Sequence, residues 1–235
     1  MKTKTSSKSF DFFPSPKYAL MQGADAQAFL EEFNARAEEL YGDAGEKVKV
    51  LNYNGNTLTG SNPFAVVHVN RVMRPQGILT ATPADLEAFR SNLRGTYKDS
   101  ALVLRSAGDS YEPNDYIARH LSEQLRGSLK RQIGKVPIVI PLVGLNLVRD
   151  AKSSYGLSFR LRDGAQPYKA PILAESNSTF RSEDVNAKTG LPTKLGNGDR
   201  TLYTRQEGLS RLYLDGSSTC IPTAGTWRFP TRMVG

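Results

Sequence analysis

Cysteine is nearly absent from this chain. Cys220 is the only one, so no intramolecular disulfide can staple the fold, and a reducing compartment suits it. Histidine is almost as scarce: His68 and His120 fall in segments that read as different secondary elements, and no paired His/Cys spacing of the zinc type occurs. Each reads as a partly buried polar residue rather than a base, and no metal is expected. Long hydrophobic runs are also missing. The strongest, Val136 to Val148, is broken by Pro137, Pro141 and Asn146 and falls short of the roughly 20 residues a membrane-spanning helix needs, so no membrane role is expected. There is no Walker-type phosphate loop, no Gly-x-Ser-x-Gly elbow and no carboxylate pair at a distinctive spacing; Glu31-Glu32 and Glu38-Glu39 fall on the polar face of a helix. No catalytic residue and no cofactor is assigned, and a non-enzyme is the expectation.

What is present suits a folded domain: 235 residues with 39% hydrophobic content can bury a sizeable core. Met1 to Ser9 is polar, carries Lys2, Lys4 and Lys8, and is followed by no apolar stretch of signal-peptide type. The cytoplasm, or a phage or virion assembly built there, is the expected location. The organisation reads as a disordered basic arm over 1–9, a single α+β domain over 10–215 and an atypical tail over 216–235.

Periodicity predicts the elements. Phe10 to Pro16 is an aromatic, Pro-restricted segment expected to dock as an edge strip. Over Ala24 to Tyr41, Phe29, Phe33, Ala37 and Leu40 recur at helical spacing, and Gly42 stops the helix. Lys47 to Tyr53 alternates at strand period and returns through Asn54-Gly55 as a hairpin to Thr59. Val-rich Phe64 to Met73 reads as a strand buried on both faces. Thr82-Pro83-Ala-Asp85 is a helix start, with a helix expected to about Arg94. Another helix starts near Pro113, with Ile117, Leu121, Leu125 and Leu129 as its buried face. Ala101 to Arg105 is a short strand, and strands are expected at Val136 to Val148, Tyr155 to Arg162 and Tyr168 to Leu173, with Asn186 to Asn197 as a loop. The fold class is therefore α+β, with helices mainly in the N-terminal half and antiparallel sheet in the C-terminal half.

The formal charge of +8 suits polyanionic partners. The densest cations are Arg119, Arg126, Lys130, Arg131 and Lys135, with Arg160, Arg162, Lys169 and Arg181 following. If the first group converges on one face, it is a nucleic-acid contact; cations at a helix C-terminus also have a purely structural explanation.

The last part of the chain carries a motif, Gly-Asp-Arg-Thr-Leu-Tyr-Thr-Arg at 198–205 followed by Gly-Leu-Ser-Arg-Leu-Tyr-Leu at 208–214. It resembles the C-terminal motif of uncharacterised bacterial proteins of similar length. In these the motif runs into a hypervariable Asn/Asp/Ser/Tyr/Gly string and ends in a Gly-Arg-Val-Val strand. That string is similar to the variable region of diversity-generating-retroelement targets, ligand-binding proteins often of C-type-lectin-like fold. The resemblance implies a binding protein and covers about eighteen residues. From Gly216 the chain departs from it. With permitted codon choices, the nucleotides of the tail read two positions later spell Lys-Leu-Asp-Leu-Tyr-Ser-Asn-Cys-Gly-Asp-Leu-Ala-Phe-Ser-Asn-Ala-Asp-Gly-Arg, close to the family's string. A frameshift after Asp215 accounts for this. Pro222 and Pro230 then oppose ladder pairing, and an unpaired sheet edge near Leu209 to Leu214 is expected, with Trp227 and Phe229 over it or exposed.

Alternation sets Leu212 and Leu214 on one face of the last motif strand and Arg211 with Tyr213 on the other; Tyr203 and Arg205 repeat the pairing on the strand before. Tyr203, Arg205, Arg211 and Tyr213 are therefore the candidate binding residues for a protein or glycan ligand, since Tyr and Arg combine contact area with hydrogen-bonding tips. A solvated face with cation–π pairs is the competing explanation. Oligomeric state is not legible.

Overall fold

The computed structural model describes residues 11–12, 18–88, 99–104, 115–129, 136–174, 178–204, 209–214 and 230–233, with backbone alone at 11–12, 18–20, 115, 126–129, 174, 178, 201–204, 209–214 and 230–233. The architecture is α+β. The described α-helices are α1 (Gly23–Tyr41), α2 (Pro63–Met73), α3 (Pro83–Ala88) and α4 (Asp115–Leu129). The strands before α4 are β1 (Asp11–Phe12), β2 (Tyr18–Leu20), β3 (Asn52–Tyr53), β4 (Leu58–Thr59), β5 (Ile78–Thr80) and β6 (Ala101–Leu104). After α4 come β7 (Ile138–Pro141), β8 (Leu145–Arg149), β9 (Leu157–Leu161), β10 (Tyr168–Lys169), β11 (Ser178–Phe180), β12 (Val185–Asn186), β13 (Leu191–Pro192), β14 (Arg200–Thr204), β15 (Leu209–Leu214) and β16 (Pro230–Met233).

Helix α1 follows its periodicity: Phe29, Phe33, Ala37 and Tyr41 are all buried, and Gly42 ends the helix at φ +56°, a conformation that disfavours a side chain. The start of α3 is a reciprocal cap, in which the Asp85 amide donates to Thr82 Oγ1 at 3.2 Å and the Thr82 amide donates to Asp85 Oδ2 at 2.9 Å. Residues 89–98, into which α3 was expected to run, lie outside the described part. In α4, Ile117, Leu121 and Leu125 are buried as their spacing predicts.

The expected strand over Phe64 to Met73 is the helix α2. Asn62 Oδ1 accepts from the Ala65 amide at 2.7 Å and Pro63 occupies the first turn, both helix-start signals. Every residue from Ala65 to Asn70 is buried, because α2 is covered by α1, β5 and β8. A helix enclosed on all sides needs no polar stripe, so the apolar run shows no helical period to read. The Lys47–Thr59 hairpin is also shorter than expected. Gly42–Lys47 is a 3₁₀ segment, only Asn52–Tyr53 and Leu58–Thr59 pair, and Asn54 Oδ1 shapes a four-residue connection by accepting from the Thr57 amide at 2.9 Å.

A six-stranded antiparallel sheet runs in the order β10-β7-β6-β15-β14-β11, and a four-stranded one in the order β1-β2-β16-β5. The single strand expected over Val136 to Val148 is two: Leu142–Gly144 turns the chain, so β7 joins the large sheet while β8 pairs with β9. β15 is no unpaired edge, for it is hydrogen-bonded to β6 on one side and β14 on the other. Nor does the tail stay out of the ladders. β16 lies between β2 and β5, and Pro230 is tolerated as the first residue of its strand, paired with β2 only. Trp227 and Phe229 lie outside the described residues, as do the 1–9 arm and Phe10.

The large sheet separates two cores. Leu102, Leu104, Ile138 and Ile140 join α1, α2, α4 and the β8–β9 hairpin in the larger cluster, whereas Ala101, Val103 and Val139 pack with Phe180, Leu173 and Leu191 in the smaller. Two strand edges are closed by helix amides rather than strands. Gln124 of α4 donates to the Phe159 carbonyl at 3.0 Å and accepts from the Leu161 amide at 2.7 Å, and Asn70 of α2 accepts from the Thr80 amide at 2.8 Å. Gly190, at φ +67°, lets the β12–β13 loop press on the start of α3: a Cβ there would lie 2.2 Å from the Pro83 carbonyl carbon.

Candidate functional site

The motif strands β14 and β15 are adjacent, with Tyr203 opposite Tyr213 and Leu202 opposite Leu214. Parity puts Arg211 in the row of Tyr213, and Arg211 in turn is the register partner of Leu102 on β6. This row therefore belongs to the sheet face whose β6 and β7 positions feed the larger core beside α4. Along the same face in the other direction lies Thr179 of β11, register partner of Thr201 and exposed. The row is thus flanked by Leu102 of the larger core at one end and by the exposed Thr179 at the other. Arg205 lies outside the described residues, and Tyr203, Arg211 and Tyr213 are described by backbone alone.

On the opposite face, the first residue of β14 is closed in. Arg200, 3% exposed, sits over the Phe180 ring at 4.7 Å, and its Nη1 lies 2.9 Å from Glu87 Oε2 on α3. The contact is ionic, off the ideal hydrogen-bond line. In the sequence Arg200 appears only as part of the 198–205 motif, with no role assigned to it.

Of the cations at 119–135, Arg119 is exposed on α4, Arg126 is in α4 by backbone, and Lys130, Arg131 and Lys135 lie outside the described residues. Another basic cluster is in view, and sequence reasoning missed it. A shallow groove of about 640 Å³ brings Arg71 and Arg74, at the end of α2, to the same lining as Arg160 of β9 and Arg162 just after it. The signal was present only as two separate Arg-x-x-Arg and Arg-x-Arg spacings. A second groove, of about 330 Å³, also carries cations, but there Lys194 pairs with Asp184 at 3.2 Å and Arg181 with Glu183 at 3.9 Å.

Both histidines have structural surroundings. His68 is fully buried on α2: its Nε2 lies 3.1 Å from the Phe33 carbonyl, which can only accept, so Nε2 carries the proton and Nδ1 accepts from the Tyr41 hydroxyl at 3.2 Å. Burial holds the imidazole down to about 4 and pushes the Tyr41 hydroxyl up to about 12. His120 is a quarter exposed, with Nδ1 2.9 Å from Ser158 Oγ and 4.0 Å from Asp150 Oδ2. Asp150 also accepts from the Tyr116 hydroxyl at 2.8 Å, a bond that raises the phenol above its usual range. Serine and carboxylate both approach the same ring nitrogen, whereas a Ser-His-Asp relay needs them on opposite nitrogens; this cluster ties α4 to the β8–β9 hairpin.

Among the described residues, no three His, Cys, Asp or Glu side chains gather to hold a metal, and no helix is long and apolar enough to cross a membrane. The chain matches no protein-family model, no curated protein and no solved structure.

Proposed function

We propose that this is a non-enzymatic recognition protein of bacterial, phage or mobile-element origin, acting in the cytoplasm or in an assembly built there. Tyr203, Arg205, Arg211 and Tyr213 meet a protein or glycan ligand. The observation that carries the reading is the register, which sets Tyr203 opposite Tyr213 and Arg211 in the same row, toward a flank where Thr179 is exposed. The resemblance adds a C-type-lectin-like fold for the C-terminal part, supported so far as that part contributes antiparallel strands. Hydroxyl-radical footprinting tests the surface. Tyr203 and Tyr213 should be modified at rates near that of the half-buried Tyr53 and several times faster than the buried Tyr41. Protection of both at the level of Tyr41 removes the proposal.

The frameshift belongs to the same reading and is decided by the gene. Its coding nucleotides, translated two positions later from Gly216, should end in Asp-Gly-Arg, and another ending rules the frameshift out.

A second reading is a basic nucleic-acid-binding protein of a phage or mobile element, contacting its ligand through Arg119, Arg126, Lys130, Arg131 and Lys135. It is favoured by the +8 charge and by the exposure of Arg119 on α4.

A further inference from the structure

We propose that the groove between the end of α2 and the β8–β9 hairpin is a binding site for the phosphodiester backbone of nucleic acid. It rests on the nucleic-acid reading and is independent of the Tyr/Arg sheet face.

The argument starts from charge. Arg71, Arg74, Arg160 and Arg162 line one groove, and among the described residues none of them has a carboxylate within ion-pair distance. Arg36, Lys49 and Lys194 are paired, with Glu39 at 2.8 Å, Glu46 at 3.0 Å and Asp184 at 3.2 Å, while other cations such as Arg149 and Lys169 have no ion pair among the described residues; what sets these four apart is that they share one groove. Arg71 and Arg74 have a local explanation, since the C-terminal end of α2 carries roughly half a negative charge. That half charge does not balance four guanidiniums. Arg160 comes from β9 and Arg162 from just after it, where no helix position accounts for them, and gathering four like charges in one groove works against their repulsion unless an anion joins them.

The arrangement also holds its donors ready. Arg74 Nη2 donates to the Val143 carbonyl at 3.1 Å and Arg162 Nη1 approaches the same oxygen at 3.4 Å, so one acceptor tethers two guanidiniums from different elements. Each guanidinium has five N–H donors, which leaves a fork on both for phosphate oxygens, and the Asn146 amide lines the same groove. The rest of the lining is Pro75 and Val148, with no aromatic ring on which a base would stack. Such a site grips the backbone without reading sequence.

The test is fluorescence anisotropy with the full chain and a short labelled DNA duplex over a range of salt. Four phosphate contacts correspond to a loss of about 100-fold in affinity between about 50 and about 200 mM salt. Arg160→Gln/Arg162→Gln should remove two contacts, lowering the slope of log K against log salt by about 2 and leaving a loss of about tenfold over the same range. Arg71→Gln/Arg74→Gln should act alike, and circular dichroism confirms folding of each variant. Unchanged slopes in both double variants overturn the proposal. So does a loss of affinity confined to Lys130→Gln/Arg131→Gln, which would leave the nucleic-acid reading standing and move its contact. Absence of duplex binding at low salt removes both, and binding of pyrophosphate without the duplex reassigns the groove to a compact anion.

Discussion

Glu87→Gln should lower the unfolding free energy by about 3 kcal/mol, read by urea denaturation at neutral pH. The substitution preserves shape and removes the carboxylate charge 2.9 Å from Arg200, which is 3% exposed. A guanidinium taken out of water is stabilised by its counter-charge. With that charge gone, the Phe180 ring at 4.7 Å, worth about 1–2 kcal/mol, and the neighbouring Asp199 charge compensate only in part. The control is the double variant Glu87→Gln/Arg200→Met, which removes the cation as well and should recover much of the loss, because a buried ion pair is weakly stabilising against an apolar replacement. A loss below about 1 kcal/mol for Glu87→Gln would show that water or the other contacts of Arg200 make the pair dispensable.

Acid should destabilise the protein through His68, by up to about 3 kcal/mol between pH 6.5 and pH 4. The sign follows from proton counting. Burial, first, and the nearby Arg71 hold the folded imidazole down to about 4, against the model-peptide value of 6.5, with the Phe33 carbonyl bond opposing them. As the pH falls below 6.5 the unfolded chain takes up a proton that the folded chain refuses, so stability declines until the folded site also titrates. Protonation at Nδ1 would also displace the Tyr41 hydroxyl from the acceptor it uses. His68→Gln removes the titration. It should be less stable than the parent at pH 7, because the Phe33 carbonyl and the Tyr41 hydroxyl lose their fitted partner, yet it should show a shallower decline from pH 6.5 to 4. Carboxylates such as Asp199, whose bonds from Ser182 hold it below its usual range, lose stability in the same direction in both proteins, so the difference between the curves isolates the histidine. Parallel curves would mean that His68 reaches solvent as readily in the folded state as in the unfolded one.

What could be read in advance divides by how local the determining physics is. α1, the Thr82–Asp85 cap and the buried face of α4 were legible because side-chain spacing and end signals lie within one or two turns of chain. The break between β7 and β8 was overlooked although Pro141 marked it, since one apolar run supplied strands to two different sheets.

Local alternation by itself determined that Arg211 and Tyr213 share one strand face and that the chain builds an α+β fold with its helices first, because side-chain period is a property of neighbouring residues. Only the tertiary structure decided that Phe64 to Met73 is a helix, that β15 lies inside a sheet between β6 and β14, and that Arg71 and Arg74 meet Arg160 and Arg162. These depend on burial from all sides and on pairings between residues far apart in the chain, where the free energy of contact is set by packing partners that no local pattern names.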